Sequence, residues 1–131
     1  MLKRSIVMLL GLAVSSTQLL AGDVSIKAVE FSRGAGDWTV NVTLQHADTG
    51  WKHYADGWRV VDASGKVLGM RTLYHPHVDE QPFTRSLSGV AIPEKISKVF
   101  VEAHDKVHGW SKDKVRVDLR KSKGQRFTVR R

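Results

Sequence analysis

Two histidines and two carboxylates fall within seven residues, Tyr74-His75-Pro76-His77-Val78-Asp79-Glu80. Pro76 fixes its own φ and restricts His75, so the segment is expected to be partly stiff and extended. In an extended chain, side chains two apart project to the same side, and His75 and His77 could thus offer two imidazoles to one metal ion. His104 and His108 are candidates for further nitrogen ligands, and His53 for another. Glu80, Asp79 and Asp105 are candidates for oxygen ligands or for acceptors that orient an imidazole. An imidazole and carboxylate set suits Zn(II), Cu(II) or Ni(II), and Zn(II) or Cu(II) is the expected cofactor. The competing reading is structural, since His and Asp side chains also clamp irregular loops by hydrogen bonding, and Asp105 could simply close a turn.

Aromatic residues accompany these histidines. Trp51, Tyr54, Tyr74 and Trp110, with Arg85 beside them, would also describe a metal-independent surface for a carbohydrate, a peptide or an envelope protein. Both readings stay open on the sequence, and their burial against the end of a fold is the plain alternative. Catalysis is the least supported reading. Ser86 and Ser88 lack a nucleophile signature, and the chain has no phosphate-cradling loop, dinucleotide fingerprint or paired-carboxylate motif. Under that reading Glu80 beside a metal-bound water would serve as a general base.

What must position these groups is a single exported domain. Lys3 and Arg4 precede the apolar run from Ile6 to Val14, which is too short to span a bilayer. Leu19-Leu20-Ala21-Gly22 follows, and cleavage after Ala21 would release a chain of about 110 residues. The same four residues resemble the start of a bacterial lipoprotein box, but Asp23 stands where the lipidated cysteine would be. The expectation is a periplasmic protein with residues 1–21 removed as a signal peptide. There is no cysteine, so neither disulfides nor thiolate ligands are available. Met70 is the one methionine outside the leader, which argues against a thioether copper carrier.

The net charge of +8 is unevenly spread. Between residues 22 and 119 the basic residues equal the 13 acidic ones, and Arg120, Lys121, Lys123, Arg126, Arg130 and Arg131 crowd the last twelve positions. Residues 22–119 therefore read as a neutral folded domain and 120–131 as a flexible basic tail that touches an anionic membrane surface weakly at most. An exported chain whose charge is a tail is not expected to bind nucleic acid.

Period-2 alternation dominates the mature chain. Val24, Ile26 and Ala28 give way to Val29 and Phe31, a slip that predicts a bulge. Trp38, Val40, Val42 and Leu44 form the cleanest half-buried strand. Trp58 to Val61, Val67 to Leu73 or Tyr74, Phe83 to Ala91, Lys98 to His104 and Val115 to Leu119 complete seven, with Asp62-Ala63-Ser64-Gly65-Lys66 as a hairpin connection. Seven short strands and no helical period predict an all-β, antiparallel sandwich. Because successive strands reverse, the loops after strands two, four and six share one pole, and all six histidines lie in or beside those loops.

Val99-Phe100-Val101-Glu102-Ala103-His104-Asp105, Gly109 and Val115-Arg116-Val117-Asp118-Leu119 resemble the last two strands of bacterial immunoglobulin-like domains. Trp58 would match their third-strand core tryptophan, although the cysteine pair is missing. His53 to Trp58, Leu73 to Val90 and Ala103 to Trp110 resemble a set of small, uncharacterised bacterial exported proteins. That resemblance implies an immunoglobulin-like sandwich in the periplasm and carries no catalytic residue with it.

Overall fold

A computed structural model describes residues 22–131. The expected signal peptide, 1–21, lies outside the described residues. Nine strands and no helix are present among those described: β1 (Ser25–Arg33), β2 (Trp38–Gln45), β3 (Ala55–Val61), β4 (Val67–Thr72), β5 (Phe83–Val90), β6 (Lys98–Asp105), β7 (Gly109–Asp118), β8 (Lys123–Gly124) and β9 (Phe127–Arg130). They form two sheets, ordered β5-β2-β1-β9-β8 and β4-β3-β6-β7.

Alternation in the sequence becomes a shared core. Phe31, Val40, Val42 and Leu44 face inward from the first sheet and meet Trp58, Val60, Val99, Val101, Val115 and Val117 of the second, all fully buried. Burying such side chains stabilises the fold by about 1.5–3 kcal/mol each relative to exposure. The slip in β1 is a bulge between Ile26 and Ala28 in its pairing with β2. That bulge lets Ile26 and Val29 both face the core.

Seven strands, all antiparallel, is corrected in three places. β3 begins at Ala55 rather than Trp58, and β7 begins at Gly109 rather than Val115. The early part of β7 is hidden in the sequence because its inward residue is Ser111, whose hydroxyl is satisfied by donating to the Asp113 carbonyl and accepting from Ala103 N. The third correction is the tail. Instead of flexing, it forms β8 and β9, and β9 pairs with β1 in parallel, from Val29 opposite Phe127 to Ser32 opposite Arg130.

Local features hold that hairpin. Arg126 has φ +64°, and its Nη1 donates to the Ile26 carbonyl and to both carboxylate oxygens of Asp113 while Nη2 donates to the Lys114 carbonyl. A Cβ at Gly124 would lie 2.2 Å from the Phe127 ring. Gly124 is required for the ring to cover β8, so Gly124→Ala should lower the thermal unfolding midpoint by several degrees, on the scale of a 1–3 kcal/mol overpacking penalty.

Candidate functional site

The period-2 run of β2 does not stop where the strand does. Trp38, Val40, Val42 and Leu44 are followed in the same inward phase by His46 and Asp48, both buried. Two inward polar residues need partners, and they find them in each other and in the adjacent loops. His46 Nδ1 lies 2.5 Å from Asp48 Oδ1, and its Nε2 lies 2.9 Å from the Gly22 carbonyl. Asp48 also accepts the backbone N–H groups of Ala55 at 3.0 Å and His77 at 2.8 Å. One carboxylate thereby ties the loop after β2 to the start of β3 and to the loop after β4. Gln81 adds a second tie, accepting from His46 N and donating to the His77 carbonyl.

The loop after β6 closes the same pole. Asp105, fully buried, accepts the backbone N–H groups of Val107 and His108 and faces His53 Nε2 at 3.1 Å and His108 Nδ1 at 3.1 Å. Burial pushes the Asp105 carboxyl up, but the two backbone donors and the His108 ring outweigh it and hold the group below the ordinary carboxylate value. The His46 and His53 rings meet edge to face at 4.8 Å, and His53 and His108 lie 5.1 Å apart.

Two sets of ligand atoms among the described residues gather closely enough to hold an ion: His46, His53 and Asp105, and Asp23, Asp105 and His108, each within 4.8 Å. His53, His108 and Asp105 were expected from the sequence and come together. His46, Asp23 and the orienting Asp48 were missed, although the unbroken inward phase from Leu44 was the signal for two of them.

The other expected ligands separate from this group. His77 stacks on Phe83 with ring centroids 4.0 Å apart, and its Nε2 accepts from Arg85 at 2.9 Å. The proton of the neutral ring is then on Nδ1, which is buried without a partner among the described residues. Glu80 is taken by Arg85, whose hydrogen bonds hold its carboxyl below the usual range, and Asp79 is exposed. His75 is exposed beside His77. His104 lies on β6, as the strand reading has it, with Nδ1 2.5 Å from Asp56 and its ring against Trp110. His75, His77, His104 and Glu80 therefore join neither set, and the Tyr74–Glu80 segment is a clamp built around Arg85.

That clamp predicts a pH response. Burial first, then Arg85 and His75, depress His77 below the ordinary imidazole value of 6.5. Unfolding lets the ring take up a proton that the native state refuses, so its contribution is present above pH 6.5 and is lost as pH falls through the lower folded value. Thermal midpoints measured from pH 7.5 to 5 should fall, and His77→Gln should flatten that fall.

Among the aromatic candidates, Trp51 and Tyr74 are 69% and 76% exposed. Tyr54 is buried beneath Trp51 and Lys106, and Trp110 lies under the Arg59 guanidinium at 3.6 Å. Arg85 is committed to His77 and Glu80. Of the five, only Trp51 and Tyr74 present a free ring face, joined at this pole by exposed Val78 and Val107.

Fold and site together define an all-β, two-sheet domain with a histidine and aspartate pole. No family model matches the chain, and no solved structure matches it. The chain is similar to a protein of Halomicrobium mukohataei named "Putative lipoprotein", 41% identical over 92 residues. The match covers 70% of this chain and spans 40% of that relative's length.

Proposed function

We propose that this protein is an exported, periplasmic domain of the immunoglobulin-like class that binds one transition metal ion, Zn(II) or Cu(II), at the pole formed by the loops after β2, β4 and β6. The strand orders β5-β2-β1 and β4-β3-β6-β7 support the immunoglobulin-like reading, since they correspond to E-B-A facing C′-C-F-G. The name of the Halomicrobium relative supports an envelope location.

The observation that carries the metal reading is the convergence of His46, His53 and Asp105. His46 is held at Nδ1 by Asp48, and its Nε2 faces the Gly22 carbonyl at 2.9 Å, so an ion bound at Nε2 would replace that proton and that contact. A carboxylate, an imidazole and a metal in series is the arrangement by which an outer acceptor fixes a ligand ring and raises its basicity. His108 and Asp23 supply two further donors at the solvent side. Imidazole and carboxylate donors without thiolate or thioether select borderline divalent ions. Binding and storage or delivery of the ion are what this set supports; no catalytic residue is assigned.

Titration of the purified, chelator-treated protein with Zn(II) and Cu(II) tests this. One ion per chain is expected, with affinity reduced more than about tenfold in His53→Ala and unchanged in His75→Ala. Failure of the wild type to bind either ion more tightly than His53→Ala would end the metal reading. A metal-independent contact with a glycan or an envelope protein is the second reading, favoured by the exposed faces of Trp51 and Tyr74. Partner capture that survives chelator and is lost in Trp51→Ala would select it.

A further inference from the structure

The tail that folds as β8 and β9 closes a second, chemically different feature at the opposite end of the sheets. Lys98 at the start of β6, Arg116 near the end of β7, Lys121 in the turn before β8 and Lys123 in β8 line a groove of about 530 Å³, with Arg120 and Phe127 also on its wall. Asp118, the carboxylate in this groove, is already neutralised. Arg120 donates to it from its backbone N at 3.0 Å and from Nε and Nη2 at 3.1 Å, which pushes the carboxyl down to about 2. Lys98, Arg116, Lys121 and Lys123 make no ion pair among the described residues. Four uncompensated cations are thus gathered from three strands of two sheets and the turn before β8, and the Arg126 clamp holds the hairpin whose β8 carries Lys123.

We propose that this corner is a headgroup site that seats the protein on a phosphate-bearing anionic lipid surface, with the histidine pole directed away from it. Arg116 suits a phosphate oxygen pair and the lysines act as point charges around it. A lipid surface fits better than a lone phosphate because Arg116, Lys121 and Lys123 are exposed on an open rim rather than buried around one anion. Each such cation near an anionic bilayer adds attraction, so the set acts collectively. At the histidine pole the exposed carboxylates Asp23, Asp79 and Glu80 stand among Lys52, Arg85 and Lys106, and Glu80 is paired with Arg85, so that end presents a mixed surface to an anionic bilayer. The inference is independent of whether a metal binds.

The purified protein should sediment with phosphatidylcholine vesicles containing roughly one third phosphatidylglycerol and not with phosphatidylcholine alone, less so as salt rises to about 0.15 M. Lys121→Glu with Lys123→Glu, and separately Lys98→Gln with Arg116→Gln, should each lower partitioning about tenfold without moving the thermal midpoint, because these side chains are at the surface. Lys52→Glu with Lys106→Glu, at the histidine pole, should leave it unchanged. Loss confined to the Lys121 and Lys123 variant would mean a charged tail without a groove and would overturn the proposal. So would saturable binding of inorganic phosphate with no vesicle binding, or equal binding to both vesicle types.

Discussion

Replacing Asp48 by alanine is expected to cost about 4 kcal/mol and to loosen the whole histidine pole. The side chain is fully buried and serves three donors at once: Ala55 N, His77 N and His46 Nδ1. Alanine leaves two buried backbone N–H groups without acceptors, each costing about 1–3 kcal/mol, and strands the His46 ring beside the void. Asn retains the shape but offers a single carbonyl oxygen, so it should recover only part of the loss. Denaturant unfolding would give the free energy. Amide exchange of Ala55 and His77 would show that the damage begins at this carboxylate. An Asp48→Ala protein as stable as the wild type would mean that the loops are held by other contacts. Because Asp48 also fixes His46, the same variant should weaken any ion at the pole although Asp48 is not itself one of the gathered ligands.

The second large effect is expected from deleting residues 120–131. A flexible tail can be removed at almost no cost, whereas this segment buries Phe127 and Val129 and supplies the parallel partner of β1. Burial of the two apolar side chains alone is worth about 3–6 kcal/mol before the hydrogen bonds of Arg126 are counted. Deletion also bares the β1 edge from Val29 to Ser32, an unpaired strand edge that invites association. The truncated protein should therefore unfold at markedly lower denaturant and aggregate on concentration. An unchanged midpoint, read by tryptophan fluorescence from buried Trp58, would show that β8 and β9 are dispensable. In the full chain, Phe127→Ala should reproduce most of the loss.

Particular residues show how far the sequence carries the argument. The alternation from Trp38 to Leu44, the slip after Ile26 and the hairpin at Asp62 to Lys66 follow from local chemistry and are visible by eye. Asp62 accepts from Ser64 and Lys66 within its own turn, so its role needs no distant partner. The gathering of histidine-bearing loops at one pole follows from strand reversal and is legible too. The membership of the site is not. His77 and Glu80 look like ligands because of their spacing, yet Arg85, on the strand their loop leads into, claims both.

The opposite errors have the same origin. His46 carries no spacing signal, because a lone histidine after a strand has no ligand partner at motif distance; His53 lies seven residues on in the same loop and Asp105 comes from the end of β6. Phe127 and Val129 are only two apolar positions in a run of charge, too few to declare a strand without knowing that β1 offers them an open edge.

The chain by itself thus determined an all-β architecture, the inward phase of β1 and β2 and the end of the fold where imidazoles collect, because backbone pleat and strand reversal are local rules. Tertiary structure alone decided which carboxylate meets which imidazole and where the basic tail lies. Those outcomes depend on which unsatisfied donors and uncovered edges remain in elements distant along the chain, and they exist only once the two sheets have packed.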